Sequence, residues 1–386
     1  MWLVPALRFP EFSREWKRHK LSEICSFYSG GTPSSSKKEF YNGNIPFIRS
    51  GELHKDKTEL FITEDGLNSS AAKLVEIGDL LLALYGATSG DIAISKIKGA
   101  INQAILCIRT KQNKKFIESV WNKHVERLLQ TYLEGGQGNL SADIVKNIPF
   151  YFADLEEQDK LANFISLLDE RISTQNKIIE KLETLIKGFV DSIFTANKFP
   201  KVPFKEIYVR AGEGGTPTTS NPEYYDNGTI PFIKIDDLQN KYIKTNKDCI
   251  TELGLQKSSA WIVPANSIIY SNGATIGAIS INLFPVCTKQ GILGVVPKAN
   301  INVEFLYYFM KSTAFTTAVE RIVTEGTMRT AYLKDINHIP CPVPCPVKQD
   351  EIAKLLSTLS EKLENEVIFQ LKLQKQKEFL LSQIFI

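Results

Sequence analysis

The sequence predicts an α+β protein written twice: two similar globular domains joined by two long antiparallel helices forming an intramolecular coiled coil, an internal repeat of pseudo-twofold character. Three observations predict it. A series of short motifs recurs in the same order in both halves. Each half holds short apolar runs broken by Gly, Asn and Pro. Each half then ends in roughly 40 residues of sustained heptad patterning.

The repeat is the strongest of these. Arg8-Phe9-Pro10 returns as Lys198-Phe199-Pro200, and Leu21-Ser-Glu-Ile24 as Phe204-Lys-Glu-Ile207. Gly30-Gly-Thr-Pro33 returns as Gly214-Gly-Thr-Pro217, and Phe40-Tyr41 with Asn44-Ile-Pro-Phe-Ile48 returns as Tyr224-Tyr225 with Thr229-Ile-Pro-Phe-Ile233. Gly86-Ala-Thr88 matches Gly273-Ala-Thr275, Gln103 with Ile105-Leu106 matches Gln290 with Ile292-Leu293, and Ile148-Pro149 matches Ile339-Pro340. So many landmarks in one order mark a tandem duplication.

Within each globule, Asp79-Leu-Leu-Leu-Ala-Leu-Tyr85, Ile92-Ala-Ile94 and Ser267-Ile-Ile-Tyr270 read as strands, with short helices around Phe116–Leu129 and Val303–Arg321. Glycines Gly30, Gly31, Gly214 and Gly215 with Pro33 and Pro217 read as turn geometry. The tails differ. Asp154 stands as an N-cap with Glu157 three residues on. Apolar residues then fall at Leu161, Ile165, Leu168, Ile172, Ile179, Leu182, Ile186, Phe189 and Ile193, with Gln175 the one polar seam position. The second tail repeats the register at Ile352, Leu356, Leu359, Leu363, Leu373, Leu380 and Ile384, with Glu366, Gln370 and Lys377 at seam positions. A helix of about 40 residues spans about 60 Å. Two such seams can pair within one chain only if the helices run antiparallel. The expected divisions are a globule over 1–153, a long helix over 154–197, a second globule over 198–345 and a second long helix over 346–386.

Charge follows these divisions. Residues 1–153 carry 20 Lys+Arg against 16 Asp+Glu and 198–345 carry 15 against 12, whereas 154–197 carry 5 against 9. Two basic blocks on an acidic or neutral spacer suit two DNA-facing modules. No run of eighteen apolar residues is present, so no membrane partner is expected. The apolar start Met1–Leu7 has no basic leader and is cut short by Arg8-Phe9-Pro10, so a cytoplasmic protein is expected. The six cysteines (Cys25, Cys107, Cys249, Cys287, Cys341, Cys345) read as reduced core residues, and Cys341-Pro-Val-Pro-Cys345 lacks the second ligand pair of a zinc site.

Catalytic motifs do not emerge. There is no Gly-Lys dipeptide and so no phosphate-cradling P-loop. Asn221-Pro-Glu-Tyr224 has Glu where an adenine-methyltransferase motif has a second Pro, and reads as a loop. The four histidines (His19, His54, His124, His338) have no metal spacing. No catalytic residue and no metal site is assigned.

The ordered set Leu21-Ser-Glu-Ile24, Gly30-Gly-Thr-Pro33, Ile45-Pro-Phe47, Gly86-Ala-Thr88, Asn147-Ile-Pro149 and Leu155-Glu-Glu-Gln158 resembles the specificity subunit of Type I restriction-modification enzymes, nearly throughout the chain and twice over. The second helix departs from the pattern, beginning Val347-Lys-Gln349. The resemblance implies a DNA-binding, non-catalytic subunit whose two target recognition domains each read one half of a bipartite double-stranded sequence. It implies helices that set the spacing and dock two methyltransferase subunits, with restriction subunits joining. No cofactor is expected in this chain; S-adenosylmethionine, ATP and Mg2+ would belong to the partner subunits.

Base and phosphate contacts need cations, amides and hydroxyls at groove edges. Polar residues in glycine-rich loops qualify: Lys37, Lys38, Arg49, Thr88, Ser89, Gln137 and Asn139 in the first domain, and Lys234, Thr275, Arg329 and Tyr332 in the second. A solvated loop explains each of them equally well. Two other readings stand beside this one: a self-contained DNA methyltransferase or nuclease with fused recognition domains, and a coiled-coil scaffold that does not bind DNA.

Overall fold

The computed structural model describes residues 4–132, 140–196, 199–273, 275–323 and 329–386. The chain divides into two compact units, residues 1–176 with 369–386 and residues 177–368.

In the first unit Cys25–Ser29, Ile105–Thr110, Leu80–Ala83 and Ile92–Ile94 lie side by side in that order, each pair antiparallel. The unbroken apolar run at Leu80 has a simple cause. Leu80 and Leu82, with Leu106 and Ile108, face a core shared with Phe116, Ile117, Val120 and Trp121 of the helix Lys114–Tyr132. Leu81, Ala83, Ile105 and Cys107 face the opposite way, onto Ile48, Val75 and Ile101. Successive side chains alternate between faces, so a strand covered on both sides must be apolar throughout. The second layer is a sheet ordered Phe61–Ile62, Tyr41–Ile48, Gly99–Ile101 and Lys73–Val75, its central pair parallel. Lys17–Lys20 pairs with Pro149–Phe152 beside the start of the first long helix.

The second unit repeats the plan. Tyr208–Glu213, Ile292–Pro297, Ile268–Ser271 and Ile279–Asn282 run in the same order as their counterparts, with Tyr242–Ile243 added parallel at the edge. Ile268 and Tyr270 face the helical side, and Ile269 faces Ile233, Val263 and Val286. Its helical stretch is broken in two, Val303–Lys311 and Thr313–Ile322, because the Ser312 hydroxyl accepts from the Phe315 N–H and caps the second piece.

The long helices run over Leu155–Ala196 and Pro346–Ile384. In the first unit Leu161 and Ile165, near the start of one, share a core with Leu380, Ile384 and Phe385 at the end of the other. In the second unit Ile186, Val190 and Phe194 pack with Ile352 and Leu356. In each unit the start of one helix meets the end of the other, so the pairing is antiparallel. Leu161, Ile165, Gln175, Ile352, Leu356 and Leu373 are buried, and Leu168, Ile172, Ile179, Leu182, Ile186, Leu359, Leu363 and Leu380 are half-buried. Phe189 is 48% exposed, and Val190 takes the buried place. A helix of 3.6 residues per turn drifts off a 3.5-residue seam, and the buried line steps over by one residue in the last turns. Lys377 meets the seam as an ion: it pairs with Asp169 at 2.5 Å, which Lys115 also reaches at 2.7 Å.

Glu157 departs from its expected capping role. It is 2% exposed, and Arg8 grips its carboxylate with two hydrogen bonds of 2.7 Å while the Trp16 indole N–H donates a third. Asp154 is paired to Arg14 at 2.9 Å. Among the cysteines, Cys107, Cys287 and Cys341 are buried, but Cys345, just before the second long helix, is exposed. Asn221-Pro-Glu-Tyr224 forms a single 3-10 turn capped by the Asn221 side chain.

Candidate nucleic-acid interface

The repeated motifs, scattered along the sequence, meet in space. In the first domain the Gly-Gly-Thr-Pro segment lies across the end of Gly99–Ile101: Gly30 approaches so closely that a Cβ there would stand 1.7 Å from the Ile101 carbonyl oxygen. The matching distance at Gly214 is 2.0 Å to the Thr288 carbonyl oxygen, so both positions require glycine. Tyr41 donates its hydroxyl to the Pro33 carbonyl at 2.7 Å, and Tyr225 donates to that of Pro217 at 2.6 Å. The Phe-Tyr and Gly-Gly-Thr-Pro motifs thus recur together because one ties down the other.

Thr32 reaches the turn at Gln103, donating to its Oε1 at 2.6 Å, and the Gln290 N–H donates to Thr216 Oγ1 at 3.3 Å. The next residue of that turn binds the Gly-Ala-Thr segment. Leu84 N–H donates to the Ala104 carbonyl at 2.8 Å, and Asn272 and Gly273 N–H groups both donate to Gly291 at 3.1 and 3.2 Å. A third strand of chain joins in: Leu140 N–H donates to Leu84, and Ala331 N–H to Asn272, at 2.9 Å in each domain. Asn272 is 2% exposed and returns a bond from Nδ2 to the Ala331 carbonyl at 3.1 Å. Three turns therefore converge at one end of the main sheet in each domain.

Several residues nominated from the sequence sit in this convergence. Thr88 closes the 3-10 turn Gly86–Thr88, and Ser89 bonds back to the Leu84 carbonyl at 3.0 Å. Thr275 and Arg329 line one cavity with Tyr270, Thr316 and Glu320. Tyr332 is exposed beside them in sequence, with the Lys334 ammonium 5.5 Å from its ring. Gln137 and Asn139 lie outside the described residues. Lys37 and Lys38 are exposed, Lys38 opening the 3-10 turn Lys38–Phe40 and Lys37 lying over the Phe40 ring at 4.9 Å.

Arg49 and Lys234 stand apart, in equivalent frames. Each begins a 3-10 turn and each donates its backbone N–H to the carboxylate three residues on, Glu52 at 3.2 Å and Asp237 at 2.9 Å. The Arg49 guanidinium also holds Glu52 at 3.0 Å and Glu59 at 3.2 Å, and Lys234 pairs with Asp248 at 2.9 Å. Burial pushes the Glu52 carboxyl up, but hydrogen bonds from Arg49 and Thr58 outweigh it and hold it down at about 2. Sequence reasoning overlooked this commitment, although an acid three residues after each cation was readable. It also passed over Gln103 and Gln290, which are exposed where the turns meet.

Among the described residues no group of three His, Cys, Asp or Glu could hold a metal ion, and no helix is long and apolar enough to cross a membrane.

A family model described as the Type I restriction modification DNA specificity domain matches the chain twice, over residues 13–184 and 201–373. The chain belongs to this family of DNA specificity subunits. Membership makes it a recognition component of a Type I restriction-modification system rather than its catalyst. Its relatives include the MjaIX specificity subunit of Methanocaldococcus jannaschii, 23% identical over 402 residues that cover 96% of this chain and 93% of that protein. Another is the EcoR124I/EcoR124II specificity subunit of Escherichia coli, 27% identical over 183 residues, 45% of each chain. The fold is that of the S subunit from M. genitalium, with 16% identity, a TM-score of 0.60 and 99% of each chain covered.

Proposed function

We propose that residues 1–153 and 198–345 are target recognition domains, each reading one half of a bipartite double-stranded DNA sequence, and that the helices over 154–197 and 346–386 set the spacing between the halves. One observation carries this reading: the same three-turn convergence, at the same end of the same sheet order, is built twice in one chain. Thr88 and Ser89 in the first domain and Thr275, Arg329 and Tyr332 in the second are the groups that face base edges. Lys37 and Lys38 supply phosphate contacts, and Arg49 and Lys234, held by carboxylates, contribute least. The helices also dock two methyltransferase subunits, and restriction subunits complete the assembly. S-adenosylmethionine, ATP and Mg2+ act in those partners, in the cytoplasm.

The test is to co-express the chain with its cognate methyltransferase subunit in a methylation-free host and map N6-methyladenine by single-molecule sequencing. The expected result is a two-part motif with a fixed gap, changed on one side only when residues 1–153 are exchanged for those of another specificity subunit. A folded complex that methylates no motif, or a motif altered on both sides by that exchange, would overturn the reading.

A further inference from the structure

We infer that Gln103 and Gln290 are specificity-determining residues, each reading an adenine that stands in the equivalent place of its own half-site. The inference rests on the half-site reading above and adds to it the two side chains and the base.

Both glutamines are exposed, and both occupy the turn between the Gly-Gly-Thr-Pro and Gly-Ala-Thr segments. Their neighbours changed after the duplication. Ala104 became Gly291, Leu84 corresponds to Asn272 and Ser89 to Ile276, yet the glutamine is the same in both copies. Packing does not explain this, since an exposed amide fills no core and its hydrogen bonds compete with water. A frame that is kept should read what the two half-sites share, while turn residues that differ should read what they do not.

The chemistry narrows the base. The Thr32 hydroxyl donates to Gln103 Oε1 at 2.6 Å and favours one orientation of the amide. In the second copy Thr216 holds the backbone N–H of Gln290 instead, fixing the turn that carries the side chain. An amide presents an acceptor and a donor side by side, the complement of adenine N6–H and N7 in the major groove. Guanine offers two acceptors there and cytosine a lone donor, and neither satisfies both ends.

The experiment compares wild type with Gln290→Ala, Gln290→Glu and Gln103→Ala, each co-expressed with the methyltransferase subunit, by methylation mapping and by competitive binding of duplexes changed one base at a time. Gln290→Ala should lose discrimination at one adenine of the second domain's half-site by roughly 5- to 150-fold and leave the other half intact. Gln103→Ala should do the same on the opposite side. Gln290→Glu keeps the size but removes the donors, and should lose the adenine preference equally. A two-part wild-type motif that survives Gln290→Ala unchanged overturns this assignment alone, whereas a wild type without a two-part motif overturns the half-site reading with it. Lowered melting temperatures in both Gln290 variants, with the motif intact or lost on both sides together, would make the residue structural and overturn the assignment.

Discussion

Gln349 does for the second long helix what Gln158 does for the first. Gln158 Oε1 accepts from the Asn113 N–H at 3.1 Å while its Nε2 donates to the Ala153 carbonyl at 2.7 Å. Gln349 Oε1 accepts from the Asn302 N–H at 2.9 Å and its Nε2 donates to the Pro344 carbonyl at 2.9 Å. Both glutamines are 0% exposed, and the following aspartate, Asp159 or Asp350, takes the asparagine side chain at 2.7 Å. The helix starts Leu155-Glu-Glu-Gln158 and Val347-Lys-Gln349 look different, but the residue that locks helix to globule is the same in both. Replacing either by Leu strands a half-buried N–H and a buried carbonyl, the carbonyl alone at a cost of about 1–3 kcal/mol. Chemical unfolding of Gln158→Leu and Gln349→Leu should show losses of similar size; a neutral Gln349→Leu would mean that the second junction is held by other contacts.

Arg49 is the nominated DNA contact whose structural work is clearest, and removing it should be felt before any DNA is added. Glu52 is 2% exposed and keeps its charge because Arg49 and Thr58 surround it. Its carboxyl is held at about 2, below its ordinary value, so its stabilising contribution is present above that ordinary value and is lost as pH falls toward 2. Arg49→Ala should lower stability by about 1–3 kcal/mol at neutral pH and flatten the acid limb of a pH–stability curve. A variant that melts like wild type but binds DNA weakly would return Arg49 to the interface.

What the sequence disclosed and what it hid divide along a physical line. The motif pairs were legible because duplication wrote the same residues twice, and the heptads because a helix seam has a period. Partners brought together by the tertiary fold were not. Thr32 and Gln103 are separated by 71 positions, so nothing local marks the contact. Glu157 carries the letters of a capping box, yet Arg8 claims it from 149 residues away. Phe189 fits a strict heptad count, and only the accumulated drift of a real helix turns it outward.

His124 makes a second pH dependence, of its own sign. Its ring stacks on Phe150 at 5.7 Å, Nε2 donates to the Ile386 carbonyl at 2.9 Å, and Nδ1 accepts from Arg127 at 3.4 Å. That pattern is the neutral tautomer. Burial lowers its pKa below the ordinary histidine value, with Lys123 and Arg127 adding to the effect. The unfolded chain therefore takes up the proton first, so this contribution is full above the ordinary value and is lost as pH falls through the lower, folded one. His54, paired with Asp91 at 2.8 Å, is shifted upward and acts in the opposite sense. Melting of wild type and His124→Gln between about pH 7.5 and 5 isolates the term. The gap between them should change with pH for wild-type behaviour to rest on His124; a constant gap would rule that out.

Arg329 separates the two kinds of DNA contact. It is exposed, shares a cavity with Thr275, and stands two residues before Ala331, which Asn272 ties to the Gly-Ala-Thr turn. An exposed guanidinium at this place can make either a bidentate contact to guanine or an ion pair with a phosphate. The outcomes differ in kind. If it reads a base, Arg329→Ala should weaken specific binding by about 1–3 kcal/mol and relax one position in the second domain's half-site, with the salt dependence little changed. If it meets a phosphate, binding should fall alike on all sequences and the slope of log K against log salt should shrink by about 1. The pairing of Arg329 with Thr275 in one cavity favours the first result. Titration of wild type and variant with matched and mismatched duplexes at two salt concentrations decides between them, and unchanged affinity and specificity would remove Arg329 from the interface.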